Sequence, residues 1–392
     1  SGARRPTRTS AICCASRRTS PGVRWPWRSA PERRGVRAGV RTGRWDSIGA
    51  QVERGHGWQR KARDTDGVPS VGVRFPSSPV LRDAHPSSCH LEYQVFLRSR
   101  PVRTGGRTPL GHTENGILHD VTHVYLSSPG PVALAHRGGW FIDDQGVCRP
   151  ELENTAVAFQ HAVDLGYTHL ETDVHATADG ALMAFHDTTL DRATDRVGII
   201  EKMPRREVAR ARVAGQEPVP LMEDLLGSWP HVRFNIDLKS DSSVLPMVEV
   251  LRRTNSWDRV CLGSFDQARL DRARVLVGPG VATSCGPVDV ARLRVASLTT
   301  LLRPVAPRTP VCAQIPLLRG GFPVLSRDVI GTAHRLGMQV HVWTINDPKV
   351  MERLLDAGVD GIVTDNTVAL KELLRRRGQW NDNAIANTLR NG

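Results

Sequence analysis

The sequence predicts an α/β protein: a (β/α)8 TIM barrel with a small insertion, preceded by a largely disordered basic N-terminal segment. From Pro131 onward, short apolar runs alternate with helical patterns, which is typical of a parallel sheet covered on both faces. About 260 residues of such repeats suit an eight-stranded barrel. No G-x-G-x-x-G follows the first apolar run, which disfavours the alternative, a doubly wound open sheet.

The predicted strands are 132–136, 168–174, 181–186, 232–238, 259–264, 281–285, 311–316, 339–345 and 360–365. Helical patterns lie between most of them, over 154–165, 243–254, 266–276, 287–302, 326–337, 347–356 and 367–376. Nine strands exceed a barrel of eight by one. The second and third are joined tightly through Asp179-Gly180, so we expect one of them to be an extra strand.

The basic residues are concentrated at the N-terminus. Residues 1–128 hold 22 of the 53 Arg and Lys but only 9 of the 40 Asp and Glu, so they carry the whole net charge of +13. They are rich in Arg, Ser, Gly and Pro without a sustained period, which favours disorder. The predicted domains are residues 1–128, a barrel over 131–376 with an insertion at about 187–230, and a tail over 377–392.

Two hypotheses address this basic segment. Its only Lys is Lys61, and the first Met of the chain is Met183. Much of the segment therefore resembles non-coding sequence read in frame upstream of the true start, with native translation beginning near Val121, Val124 or Val132. The alternative is a basic arm for nucleic acid or an anionic membrane. It lacks regular aromatic interleaving and an amphipathic stripe, so we expect no nucleic-acid partner.

The remaining composition favours a cytoplasmic protein. Seven cysteines without a C-x-x-C pattern make a zinc ribbon or a disulfide framework an unfavourable interpretation. We find no apolar run long enough for a membrane span and no secretory signal in this sequence. The oligomeric state is left open.

Polar side chains recur where the predicted strands end. They are His136-Arg137, Glu171 and Asp173, His186-Asp187, Asp237 and Lys239, Trp343, and Asp365. Residues two apart share a strand face, and the carboxyl ends of all barrel strands meet at one rim, where the active site belongs. Each residue alone has an ordinary structural explanation, such as a strand-end ion pair or core packing. Their recurrence on several strands favours a site.

The residue types indicate phosphodiester cleavage. Three carboxylates, Glu171, Asp173 and Asp237, offer the oxygen donors of Mg²⁺ or Ca²⁺. Two histidines, His136 and His186, offer a base and an acid near neutral pH. The side chains of Arg137 and Lys239 offer positive charge for an anion. A metal, cations and two imidazoles together favour metal-assisted cleavage of a phosphoryl ester. His175 shares the face of Glu171 and Asp173, but we expect it to lie past the end of the strand predicted over 168–174, so it is left outside the site.

At these residues the chain resembles the glycerophosphodiester phosphodiesterase family. The matching segments occur in family order: AHRGG (135–139), ENT (153–155), LETDVHATADG (170–180), AFHDTTLDRAT (184–194), NIDLK (235–239), SF (264–265), VHVWTIN (340–346) and GVDGIVTD (358–365). The resemblance implies a barrel that hydrolyses glycerophosphodiesters to sn-glycerol 3-phosphate and an alcohol with a divalent cation, and an insertion that covers the pocket.

The resemblance also implies roles for single residues. His136 and His186 look like the acid/base pair, and Arg137 and Lys239 look like the phosphate contacts. Trp343 is placed in the substrate pocket by its position at a strand end, not by the resemblance. The metal ligands look like Glu171, Asp173 and Asp237. Glu153 looks like a further rim carboxylate, near the metal or orienting His136 and Arg137. The chain departs from the family pattern at Asp237, where Glu is usual, at Leu152, where Pro is common, and in reading TDNT for TD-x-P.

Three alternatives are open at this stage. A lysophospholipase D or a sphingomyelinase-D-like enzyme shares the histidine and carboxylate pattern and differs in admitting an acyl chain. A catalytically inactive barrel is disfavoured because the histidines and carboxylates are intact. A nucleic-acid-binding protein would depend on residues 1–128 alone. The sequence does not decide the head-group alcohol, the native metal, or whether water or the substrate's own glycerol hydroxyl attacks the phosphorus.

Overall fold

Eight parallel strands form the centre of the chain. The computed structural model describes residues 123–128 and 130–382, so the disorder predicted for residues 1–122 lies outside the described residues. The strands are β1 Val132–His136, β2 His169–Ala176, β3 Arg233–Leu238, β4 Val260–Gly263, β5 Ala282–Thr283, β6 Cys312–Ile315, β7 Gln339–Val342 and β8 Gly361–Thr364. They pair in the order β5-β4-β3-β2-β1-β8-β7-β6. A parallel bridge between Ser284 and Cys312 joins the two outer strands, so the predicted barrel is confirmed.

A helix follows each strand. The helices are α1 Ala156–Asp164, α2 Met222–Ser228, α3 Val244–Thr254, α4 Gln267–Val277, α5 Pro287–Ala296, α6 Arg327–Arg335, α7 Pro348–Asp356 and α8 Thr367–Arg376. In α7, Asp347 caps the N-terminus by accepting from the Lys349 N–H, and Pro348 stands at the first position. Its buried side chains recur on one face, which packs against the strands. In the described part of the chain, every helix is too short or too polar to cross a bilayer.

The third predicted strand, 181–186, is the extra one. Leu182–Ala184 pairs antiparallel with β2, across a turn in which Gly180 has φ +80°. The chain then forms a second, smaller apolar cluster beside the barrel, which includes Met183, Phe185, Leu190 and Ile200. Short elements complete this region: a helix at Arg205–Val208 and paired strands at Arg212–Val213 and Glu217–Pro218. The predicted insertion at about 187–230 therefore contains most of this cluster, which begins at Met183, and the barrel helix α2.

The residues before β1 close the bottom of the barrel. The sequence assigns residues 123–128 to the disordered segment, but Val124–Leu126 form a 3-10 helix and Tyr125 is fully buried. Tyr125 and Leu126 pack on Cys261, Ala282 and Cys312, which lie at the starts of their strands. The boundary of the folded region therefore moves N-terminal to Val124. We call Val124–Leu126 the plug.

The last described residues also lie at the bottom of the barrel. The Trp380 ring is 5.2 Å from that of Tyr167, which precedes β2. A Cβ on Gly130, before β1, would meet the carbonyl oxygen of Gln379 at 2.6 Å. This approach is closer than any side chain permits, so glycine is required at position 130. The segment that enters β1 and the segment that follows α8 therefore meet at the face opposite the carboxyl ends of the strands.

Candidate active site

A cavity of about 260 Å³ opens at the carboxyl ends of the strands. Eight of the nine predicted site residues line it: His136, Arg137, Glu171, Asp173, His186, Asp237, Lys239 and Trp343. The ninth, Glu153, is not among the lining residues, but it accepts a hydrogen bond of 2.8 Å from the guanidinium of Arg137. The barrel thus brings together side chains from β1, β2 and β3 and from the segments that follow β1, β2, β3 and β7.

His136 ends β1 and is held by a carboxylate. Its Nδ1 lies 2.6 Å from Oδ1 of Asp365, and Asp365 accepts a further hydrogen bond of 2.8 Å from the Asn346 amide. The Nε2 atom is 3.9 Å from Oε2 of Glu171. Burial disfavours the charged ring, but the negative charges of Glu171 and Asp365 outweigh it and raise the pKa of His136.

His186 is held in the same way. Its Nδ1 lies 2.6 Å from Oδ1 of Asp187, and Asp187 is paired in turn with Arg192. The backbone carbonyl of His186 accepts a hydrogen bond of 3.1 Å from Nε2 of His175, a buried residue of β2. Burial lowers the pKa of His186, and nearby positive charge adds to the effect, although Asp173 opposes it. His175 therefore lies within β2 and not past its end, which corrects the prediction, and it holds the backbone of His186 in place.

Arg137 sits on a strained turn that aims it into the cavity. Its backbone has φ +53°, which non-glycine residues rarely adopt, and Gly138 follows at φ +91°. The Arg137 backbone N–H donates to Oε2 of Glu171 at 3.0 Å, and the guanidinium donates to Glu153. The guanidinium Nε lies 3.3 Å from Oδ2 of Asp173. The turn thus links β1 to the carboxylates of β2.

The three predicted metal carboxylates lie side by side on β2 and β3. The register pairs Asp173 with Asp237 and Glu171 with Asn235. The Lys239 ammonium lies between two of the carboxylates, 2.8 Å from Oδ1 of Asp173 and 2.7 Å from Oδ2 of Asp237. Negative charge is therefore concentrated on one patch of the barrel wall, and a single ammonium bridges part of it.

The crowding of these carboxylates changes their pKa values in opposite directions. Burial, followed by the charge of Asp173, raises the pKa of Glu171 to about 7. Burial and the same neighbour also raise the pKa of Asp237, although Lys239 opposes them. Burial acts on Asp173 too, but Lys239 and Arg137 outweigh it, so the pKa of that carboxyl lies well below its usual range. Further positive charge would stabilise the ionised form of all three.

The donor chemistry of the patch fits a hard divalent cation. As the side chains stand, no three His, Cys, Asp or Glu groups within 123–128 and 130–382 converge closely enough to hold a metal. The Lys239 ammonium occupies the space between two of the carboxylates. However, the patch consists of oxygen donors, and the Oδ1 atom of Asn235 is buried there without a hydrogen-bond partner among the described residues. Such donors are those preferred by Mg²⁺ and Ca²⁺.

Four further polar residues support the site and were given no role from the sequence. They are Asn154, Asp187, Asn346 and Asp365. Asn154, at φ +57°, donates from its side-chain amide to Oδ2 of Asp173 at 3.2 Å and from its backbone to the Arg137 carbonyl at 2.8 Å. Their positions in the sequence could have indicated these roles, because Asn154 follows Glu153 and both aspartates stand at strand ends.

The opposite wall of the cavity is largely apolar. The rings of Phe265 and Trp343 meet edge to face with centroids 5.5 Å apart. The Lys239 ammonium lies 5.4 Å from the centroid of Phe265, a cation–π contact. Val290, Pro316 and Val324 continue this wall. The cavity therefore has a charged side, made by β1 to β3, and an apolar side.

Several known proteins resemble this chain in sequence or in fold. A model described as the Glycerophosphoryl diester phosphodiesterase family matches residues 136–369. The chain is 37% identical over 264 residues to a Probable glycerophosphodiester phosphodiesterase 2 of Mycobacterium tuberculosis, covering 65% of this chain and 95% of that protein. It is 26% identical to the Homo sapiens Lysophospholipase D GDPD1, covering 62% and 85%. A solved structure of a putative glycerophosphoryl diester phosphodiesterase from Silicibacter pomeroyi matches with a TM-score of 0.53 at 22% identity, covering 66% of this chain and 97% of that one.

Proposed function

Because the chain belongs to the glycerophosphoryl diester phosphodiesterase family, a family of phosphoric diester hydrolases, we propose that it hydrolyses glycerophosphodiesters to sn-glycerol 3-phosphate and an alcohol. One observation carries the proposal. Two histidines, each held at Nδ1 by a carboxylate 2.6 Å away, line the same cavity as a patch of three carboxylates and two cationic side chains.

Arg137 and Lys239 would bind the phosphodiester. Both are largely buried cations at the charged side of the cavity, and a guanidinium suits the oxygens of a phosphate. Their positive charge is held in place by Glu153, Asp173 and Asp237, so it is already oriented before substrate arrives. Preorganised charge of this kind stabilises the additional negative charge that develops as the phosphorus is attacked.

The two histidines would move the protons. One accepts a proton from the attacking hydroxyl, and the other donates a proton to the alkoxide that leaves when the phosphorus–oxygen bond breaks. The attacking hydroxyl belongs either to water or to the glycerol part of the substrate, in which case a cyclic phosphate forms first. Since Nδ1 of each ring is engaged by an aspartate, Nε2 is the nitrogen left for substrate.

Glu171, Asp173 and Asp237 would hold a divalent cation, Mg²⁺ or Ca²⁺. When bound, such an ion supplies positive charge to the phosphoryl oxygens. The crowding of the carboxylates and their raised pKa values at Glu171 and Asp237 support this assignment.

The test is release of sn-glycerol 3-phosphate from glycerophosphocholine by the full chain, with Mg²⁺ or Ca²⁺ and with EDTA. We expect release that needs the cation and that falls by about 10²- to 10⁴-fold in His186→Ala. A matched control is His334→Ala, which removes a partly exposed histidine bound to Asp360 away from the cavity and should leave turnover unchanged. Turnover in His186→Ala close to that of the unaltered chain would refute its role.

A lysophospholipid is the second candidate substrate. The apolar wall of Phe265, Val290 and Trp343 favours it, since an acyl chain needs such a surface beside the phosphodiester. The same assay with lysophosphatidylcholine distinguishes the two. Release of lysophosphatidic acid at a higher kcat/KM than release of sn-glycerol 3-phosphate would replace the first candidate with the second.

A further inference from the structure

We propose that Asn235 is an additional ligand of the divalent cation, its amide oxygen acting beside Glu171, Asp173 and Asp237. The inference rests on the proposed function, because it adds a residue to the cation site that the proposal requires. Asn235 was not predicted from the sequence as a site residue.

The register of two strands carries the first step. Residues paired in a parallel sheet point to the same side, and Glu171 faces Asn235 as Asp173 faces Asp237. Neighbouring strands are about 4.8 Å apart, and alternate residues on one strand share a face. The four side chains therefore form a two-by-two patch on the inner wall of the barrel. Three corners are carboxylates and the fourth is an amide.

The burial of Asn235 carries the second step. The residue is 7% exposed and lines the cavity. Its Oδ1 atom has no hydrogen-bond partner anywhere in the described chain. Its register neighbour on the other side is Cys261, which offers only a weak thiol donor. A buried amide oxygen without a partner destabilises the fold, and a cation that it coordinates would remove that cost.

The oxygen can be tested separately from the amide N–H. A rival role for Asn235 is a hydrogen bond from its N–H to Glu171, which would position that carboxylate without contact to the ion. Asn235→Asp keeps an oxygen at this point and removes the N–H, whereas Asn235→Ala removes both. The two variants therefore give different results for a ligand and for a positioning donor.

The experiment is calorimetric titration of Mn²⁺, Mg²⁺ and Ca²⁺ into the metal-free full chain, with circular dichroism as a check on folding. We expect Asn235→Ala to weaken the tightest Kd by about 10- to 100-fold. Asn235→Asp should bind at least as tightly as the unaltered chain. Gln314→Ala is the matched control, because it removes another amide from the same cavity and should leave the Kd unchanged.

Two results would overturn the inference alone: a Kd for folded Asn235→Ala within twofold of the unaltered chain, or a loss in Asn235→Asp equal to that in Asn235→Ala. The second of these would identify the N–H as the functional group. Failure of the unaltered chain to bind any of the three ions would overturn the cation site of the proposed function as well. Glycerophosphocholine turnover that persists in EDTA would accompany that outcome.

Discussion

Each histidine of the site is held by an aspartate, which is distant in the sequence for His136 and adjacent for His186. Asp365, after β8, lies 2.6 Å from Nδ1 of His136, and Asp187 lies at the same distance from Nδ1 of His186. An aspartate at Nδ1 fixes which nitrogen carries the proton and orients the ring. Reactivity at Nε2 therefore depends on residues that need not touch the substrate.

Replacing Asp365 by Asn tests this dependence. The substitution keeps the size of the side chain but removes its negative charge. It also replaces one of the two carboxylate oxygens, which accept from His136 and Asn346, by an amide group that donates. We expect kcat for glycerophosphocholine to fall by about 10²-fold while KM changes little, in steady-state kinetics on the folded variant. Asp360→Asn, which alters an aspartate at the bottom of the same strand, is the control and should leave kcat unchanged. A kcat for Asp365→Asn within twofold of the unaltered chain would contradict the positioning role.

The sequence could place the residues of the strands but not the partners of those residues. Glu171, Asp173 and Asp237 follow from the alternation of side chains within β2 and β3. Asp365 and Asp187 are predicted at strand ends, but the alternation does not give the partners toward which their side chains turn. The partner of Asp365 is 229 positions away, and only closure of the barrel brings the two together. Asn235 resembles an ordinary strand residue until its burial is known.

At the scale of elements, the helices that could not be predicted from the sequence are the short ones. All nine strands were predictable because they are apolar runs, and six of the seven predicted helices agree with the structure to within a few residues. The exception, 287–302, ends as a helix at Ala296. Helix α2 has seven residues, and the plug has three, too few to show a period. The plug is buried only because the bottom of a barrel offers apolar strand starts to cover.

The plug provides a prediction about stability. Tyr125 is fully buried, and the centroid of its ring lies 5.4 Å from that of His169. We expect Tyr125→Ala in the full chain to lower the free energy of unfolding by about 3–5 kcal/mol, measured by urea denaturation. Val124→Ala is the control, since Val124 is 56% exposed and should change stability little. Equal stability of the two variants would show that the plug contributes nothing.

The same feature bears on the predicted start of translation. Of the three positions suggested by the sequence, Val132 lies after the plug, while Val121 and Val124 precede Tyr125. We therefore expect a chain that begins at Val132 to be less stable than one that begins at Val121. This expectation concerns the barrel alone, since residues 1–122 lie outside the described region.

At the scale of the whole molecule, the barrel interior buries neutral histidines below the site. His341 is fully buried, with Nε2 3.0 Å from the Gln339 side-chain oxygen. Burial lowers the pKa of His341 to about 4 and that of His169 to about 3. At pH values between those pKa values and about 6.5, the ordinary pKa of histidine, these two side chains bind protons in the unfolded chain but not in the folded chain. These groups therefore contribute stability above pH 6.5 that is progressively lost as the pH falls toward 4.

Replacing His341 by Gln should reduce that loss. Because the pKa of His341 is about 4 in the folded chain, His341 accounts for about 2 kcal/mol of the free energy of unfolding that is lost between pH 7.5 and pH 5.0. Urea denaturation at the two pH values gives the loss for each chain, and we expect the variant to lose less by that amount. Comparing the two chains at pH 7.5 separates the packing cost of the substitution. Equal losses would show that His341 is not held neutral.

The meeting of Gly130 with Gln379 at the bottom of the barrel has a practical consequence. Any support, affinity handle or fused protein joined at residue 123 or residue 382 is attached on the face away from the cavity. An immobilised barrel would present its open mouth outward whichever end is used. Surface-bound assays of substrate preference should therefore rank the substrates in the same order whether the barrel is attached at residue 123 or at residue 382.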